Sequence, residues 1–130
     1  MAISVPSLTI LKPAAGEVGL IQGIVPDSVN EWYFSQACDK LKLDYIYQYS
    51  LGMVGVRGSQ WIDFVVYLAG FRAACNIQGK YWHTTRTADE DRMKHQIQEH
   101  IFGKQNVFDF SEEETASTEI AIISIRKKLL

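Results

Sequence analysis

Residues 61–68 read W-I-D-F-V-V-Y-L, and residues 71–79 read F-R-A-A-C-N-I-Q-G. The first run is apolar on both faces except at Asp63, the pattern of a central strand buried on both sides. Ala69 and Gly70 are a tight connection, so the second run is expected antiparallel beside the first. Its polar residues Asn76, Gln78 and Lys80 alternate with Cys75, Ile77 and Gly79. One face therefore suits a core, and the other suits water or chemistry.

Working outward, P-D-S-V-N-E-W-Y-F opens a helix, with Asp27 or Ser28 as N-cap and Glu31 at capping-box spacing from Ser28. The helix is expected to run to Lys42, with Val29, Tyr33, Ala37 and Leu41 on one face and Phe34 and Cys38 beside them. Glu31 falls about 20° from Cys38 on the wheel. It is either a capping carboxylate or a group reaching towards whatever the helix packs on. Residues 45–50, Y-I-Y-Q-Y-S, read as a strand, and the glycine-punctuated stretch 51–59 as a hairpin connection. After the 71–79 strand, Thr87 caps a helix that stops at Gly103, with Met93, Ile97, Ile101 and Phe102 as its narrow buried stripe. V-F-D-F-S is a further strand. The tail from Ser117 is ambiguous: its β-branched run suits a strand, whereas its acidic start and the Lys127–Lys128 end favour a helix. The order α-β-β-β-α-β-α implies an α/β domain, a mixed central sheet flanked by helices. Residues 1–25 read as an extension, a loop or edge strand packed on the body, and residues 26–130 as a single domain.

With 130 residues, 47% of them hydrophobic and 22% charged, the chain is long enough to bury the core of one domain. The formal net charge of −2 argues against a broad phosphate-binding surface but leaves room for a local basic cleft. Cys38 and Cys75 lie outside metal-ligand spacing and read as reduced, buried small hydrophobes. No signal-peptide pattern or membrane-length apolar run is apparent, so a cytoplasmic location without membrane partners is expected. The glycines of 51–59 lack nucleotide-loop spacing, which argues against a nucleotide cofactor.

Asp63 is the chemical focus. A lone carboxylate in a buried strand costs several kcal/mol to leave unpaired, so it requires a cation, N–H donors or a metal. It is either a structural acceptor or a functional group. A carboxylate, an amide oxygen at Gln78 and an ammonium at Lys80 on adjacent strands suit metal-assisted phosphodiester hydrolysis. Mg²⁺ needs only one or two carboxylates alongside water and phosphate oxygens. Lys80 is either a charge stabiliser or a solvated strand-end lysine.

Asp63, fourteen residues, then Gln78-Gly79-Lys80 resembles the D…(D/E)xK core of the PD-(D/E)XK, restriction-endonuclease-like nucleases. With G-K-Y-W-H at 79–83 and a helix opening D-x-D-R at 89–92, the chain resembles the very short patch repair endonuclease branch and its small phage and bacterial relatives. The resemblance spans about residues 26–130. It implies Mg²⁺ or Mn²⁺ held by Asp63, Gln78 and Glu31, with Lys80 as the catalytic lysine and His83 assisting with water or phosphate. Asp89, Asp91 and Arg92 match the helix signature, where Arg92 holds a phosphate or pairs locally. Arg57, Arg86 and Arg92 are expected to form a basic rim with Lys80. Trp82 either stacks on a base or caps the core.

The implied activity is Mg²⁺-dependent DNA cleavage in a bacterial or phage-infected cell, with a homodimer or partner subunit for two-strand cutting. RNA is a third possible substrate class. Gln78 replaces the usual acidic residue and removes one negative charge from the site. The alternative is therefore a catalytically weakened nuclease-fold module that binds DNA or a protein partner. His95 and Glu99, four apart, are expected to be a solvated helix pair, and Glu112–Glu114 a solvated helix start.

Overall fold

The computed structural model describes residues 18–51, 61–78 and 88–130. Lys80, Trp82, His83, Arg57, Arg86, Thr87 and the connection 52–60 lie outside the described residues. Four strands form one mixed sheet: β1 (Asp44–Ser50), β2 (Trp61–Leu68), β3 (Phe71–Ile77) and β4 (Val107–Phe110), in spatial order β1-β2-β3-β4. The first three are antiparallel neighbours, and β4 runs parallel to β3. The helix α2 (Ala88–Phe102) makes the crossover that a parallel pair needs. Gly70, at φ +88°, takes the left-handed conformation that the β2–β3 turn demands.

On one face of the sheet lie α1 (Val29–Lys40) and α3 (Thr118–Leu129), which pack on each other. Phe34 is the centre of this core, its ring 4.7 Å from that of Phe64 and 5.0 Å from that of Phe110. Ala37, Cys38, Val66, Cys75 and Ile125 fill the space around it. Both cysteines are free and buried, and burial pushes both thiols well up from their ordinary range. On the opposite face a smaller cluster joins Ile62, Val65 and Ala74 to Phe102 of α2. β2 is thus buried on both sides, as its uninterrupted apolar run implies.

The ambiguous tail is helical from Thr118. Ser117 caps it by accepting from the Ile120 N–H at 3.1 Å, and Ala121, Ile125 and Leu129 fall on one buried stripe. In α1 the buried face centres on Phe34, Ala37 and Cys38, with Tyr33 and Leu41 only half-buried. The inward face of α2 differs from the expected apolar stripe. Met93 and Ile101 are 52% and 40% exposed, while Lys94 and Gln98 are buried with Phe102. The physical reason is the partner surface: Asn76 of β3 faces α2 and requires an amide there, not a hydrocarbon.

Ahead of α1, residues Ile21–Ile24 form a tight turn, with Ile21 buried in the main core. Gln22 there donates to the Tyr45 carbonyl at 2.6 Å and accepts from the Tyr47 N–H at 2.8 Å. One side-chain amide thereby occupies part of the open edge of β1.

Candidate functional site

The polar groups gather at one end of the sheet, where β2 begins and where β1, β3 and β4 finish. At that end the alternation of β1 and β2 breaks together. Tyr47 and Phe64 pair in register and both pack in the larger core; Tyr49 and Ile62, paired two residues further along, both belong to the smaller cluster on the other face. Residues two apart on a regular strand share a face, so both strands reverse between these pairs. Gln48 and Asp63 are the residues between, and Gln48 has φ +54°. The irregularity lifts Asp63 out of the ordinary strand pattern. Its Oδ2 accepts from the Ile77 N–H of β3 at 2.8 Å. The N–H donors required by a carboxylate in this strand therefore include a backbone group of the neighbouring strand.

Glu31 reaches the same place from the first turn of α1 and is 2% exposed. Its N–H donates to Ser28 Oγ at 3.2 Å, and its Oε2 lies 3.2 Å from that hydroxyl, so the capping device exists. The carboxylate does more than cap. Tyr47 Oη donates to Glu31 Oε1 at 2.5 Å and accepts from the Asp27 N–H at 3.1 Å. Burial, followed by the negative charge of Asp63, pushes the Glu31 carboxyl up to about 8, against the opposing hydrogen bond from Tyr47. Two carboxyl groups near enough for one charge to disfavour the other are an oxygen-donor pair of the kind a divalent cation can bind. Among the described residues no three His, Cys, Asp or Glu side chains converge as a metal-binding group. Two protein carboxyls would leave most positions of a Mg²⁺ octahedron to water or phosphate oxygens.

Gln78 is placed one residue beyond β3, its backbone N–H bonded to the Phe110 carbonyl at 2.7 Å. Its amide nitrogen points to Asp109 Oδ1 at 3.4 Å, on the α2 side of the sheet. There it borders a cavity of about 510 Å³ between the ends of β3 and β4 and the helix. Behind that cavity Asn76 and Gln98 form a reciprocal amide pair: Asn76 Nδ2 donates to Gln98 Oε1 at 2.6 Å, and Gln98 Nε2 returns to Asn76 Oδ1 at 3.0 Å. Asn76 also donates to Asp109 Oδ1 at 3.2 Å. His95 lies between two carboxylates, with Nδ1 3.3 Å from Glu99 and Nε2 3.1 Å from Asp109. The expected His95–Glu99 helix pair is present, and its second tie to β4 was not anticipated. Arg92 pairs locally with Asp89 at 2.7 Å, both well exposed.

Of the residues singled out in the sequence, Glu31 lies near enough to Asp63 to feel its charge, and Gln78 borders the cavity beside α2. Tyr47, Gln98 and Asp109 escaped the sequence reading. Asp109 carried a signal, a carboxylate inside the apolar V-F-D-F run, the same anomaly that drew attention to Asp63. Tyr47 and Gln98 carried none, because a tyrosine in a strand and a glutamine on a polar helix are ordinary. Among the described residues no helix is long and apolar enough to cross a membrane. No family model, curated protein or solved structure matches the chain.

Proposed function

We propose that this chain is a Mg²⁺-dependent DNA endonuclease that hydrolyses phosphodiester bonds. The observation that carries the reading is that Asp63, at an irregularity of the sheet and held by the Ile77 N–H, lies near enough to the buried Glu31 of another element for its charge to raise the Glu31 carboxyl. The sheet with its α-β-β-β-α-β element order is also what the PD-(D/E)XK resemblance leads one to expect. Asp63 and Glu31 would hold the cation; when bound, it supplies Lewis-acid polarisation of the phosphate and a water of lowered pKa. The protein's own part is positional. The Ile77 N–H fixes the Asp63 carboxylate, and Tyr47 fixes one oxygen of Glu31, which gives up its proton when a cation is held. Lys80 stands two residues beyond Gln78 in sequence and is proposed to stabilise charge developing on the phosphate.

A second reading has its own support. The amide of Gln78 is directed to Asp109 and not to the carboxylate pair, which leaves that pair short of the third ligand implied by the resemblance. A nuclease-like module that binds DNA or a protein without cutting would need no third ligand. The test is cleavage of supercoiled, linear and mismatched or branched DNA with Mg²⁺ or Mn²⁺, beside Asp63→Ala and Lys80→Ala. Thermal unfolding of each protein with and without the cation accompanies the assay. The endonuclease reading expects cutting that both variants lose and a cation-dependent stabilisation that Asp63→Ala loses. A folded wild type that binds DNA but cuts none of these substrates would transfer the assignment to the non-cutting module.

A further inference from the structure

The geometry points to the cavity between α2 and the ends of β3 and β4 as a seat for one nucleotide, its base against the sheet and its phosphate against the helix. This inference rests on the nucleic-acid reading of the same sheet end but uses different residues. A volume of about 510 Å³ lies within the range of small-ligand pockets. It lies at the carboxyl ends of the parallel pair β3 and β4, on the α2 side of the sheet.

The chemistry of the two walls differs. The sheet wall carries acceptors: the Asp109 carboxylate and the Gln78 amide, with Asn76 already committed to its partner Gln98. The helix wall carries the cations Arg92 and Lys94, together with the Asp91 carboxylate and the His95 imidazole. Acceptors on the sheet side and the Arg92 and Lys94 cations on the helix side match a molecule with N–H donors at one end and an anion at the other. A nucleotide has that distribution. Bases bearing an exocyclic amino group present more donors to Asp109 and Gln78 than thymine, whose single N–H is flanked by two carbonyls. Arg92 makes a solvent-exposed pair with Asp89, a contact of small worth that its guanidinium can exchange for a phosphate at little cost.

The buried amide pair is consistent with a built wall. Asn76 and Gln98 are 4% and 0% exposed, and Asn76 in turn holds the Asp109 carboxylate in its orientation. A wall made only for stability could be hydrocarbon, as it is around Ala74 and Phe102 on the same face of the sheet.

The test is titration of the whole chain, without divalent cation, by dAMP, dCMP, dGMP, TMP, the matching nucleosides, inorganic phosphate and a short single-stranded oligonucleotide. Amide NMR shifts would be followed at Gln78, Arg92, His95 and Asp109. The expected result is saturable binding of the amino-bearing nucleotides, weaker binding of TMP, and nucleosides weaker than their phosphates. Arg92→Ala should weaken the nucleotides several-fold and leave the nucleosides unchanged. Gln78→Ala and Asp109→Asn should each weaken the amino-bearing nucleotides, by about tenfold for the charged acceptor. Because Arg92 and Gln78 are not buried, their variants test the seat even if Asp109→Asn fails to fold. Asp63→Ala should leave nucleotide binding intact, so loss of the cleavage reading and loss of this seat are separately visible. Tighter binding of the oligonucleotide than of any mononucleotide assigns the seat to a nucleic-acid strand, and the reverse assigns it to free nucleotides. Shifts absent from these residues, or binding equal for phosphate, nucleoside and nucleotide, would overturn the proposal.

Discussion

Tyr47 of β1 donates a 2.5 Å hydrogen bond to Glu31 of α1, across the interface where helix and sheet enclose the carboxyl. The phenol is itself fixed by the Asp27 N–H and packs its ring 4.9 Å from that of Phe64. Glu31 is therefore a buried, oriented acid and not a solvated capping residue. That distinction has measurable consequences.

The first concerns pH and stability. Folding raises the Glu31 carboxyl from its ordinary 4.5 to about 8, through burial first and the Asp63 charge second. Between those values the folded chain keeps a proton that the unfolded chain has released. The contribution of Glu31 is thus fully present below its ordinary value and is lost as pH rises through about 8. Urea midpoints measured from about pH 5 to about pH 9 should fall with pH in the wild type. Glu31→Gln, which keeps shape and hydrogen bonding without titrating, should remove most of that slope. An unchanged slope in the variant would place the raised pKa elsewhere.

Asp63→Asn separates the two causes. The amide oxygen still accepts from the Ile77 N–H, so the local backbone contact is kept. The negative charge beside Glu31 is lost, and with it the second-largest cause of the raised carboxyl. The Glu31 titration followed by its side-chain carbon resonance should move towards the ordinary range but stay above it, because burial persists. Cation-dependent stabilisation should fall in the same variant, since one of the two proposed oxygen donors has lost its charge.

The seven main elements were legible in the sequence because their signals were local. The Ser28 cap, the two-sided apolar run of β2 and the Gly103 stop each follow from backbone chemistry a few residues long. Even the ambiguous tail was decided by local features, a serine cap and a basic end. The inward face of α2 was misjudged because its partner is polar. A periodicity argument ranks Met93 and Ile101 as core, but only the placement of Asn76 across the interface makes Gln98 the better buried residue. The Glu31–Tyr47 contact was hidden for a similar reason. The tyrosine's role depends on β1 passing under the first turn of α1, a tertiary relation with no spacing rule.

The Asn76–Gln98 pair should behave as a unit. Asn76→Leu strands the Gln98 amide in a fully buried position, at a cost of about 1–3 kcal/mol, and also releases Asp109 from one donor. Gln98→Leu strands one side of Asn76, whose nitrogen still has Asp109. The double variant removes both needs at once and should cost clearly less than the two single changes added. A double-mutant cycle by urea denaturation reads the coupling directly, and strict additivity would show that the amides do not depend on each other.

At the opposite side of β4, Lys128 ties three elements together. Its Nζ donates to the Asp109 carbonyl at 2.5 Å and to Glu114 Oε1 at 2.9 Å, and lies 4.8 Å from the Phe110 ring centre. Glu114, expected to be a solvated helix start, is instead held in place by the Ser111 N–H and this ammonium. Burial works to raise its carboxyl, but those hydrogen bonds prevail and keep it below the ordinary range. Its contribution therefore has the opposite sign to that of Glu31: present above the ordinary carboxylate range and lost as pH falls through it. Lys128→Met should destabilise the chain by about 1 kcal/mol near neutral pH, a modest figure because both charged ends keep contact with solvent. The loss should shrink in acid, where the wild type has already surrendered the pair. Thermal melts of wild type, Lys128→Met and Glu114→Gln across the acid range test this. A loss that does not vary with pH would assign Lys128's worth to its carbonyl and ring contacts and not to the carboxylate.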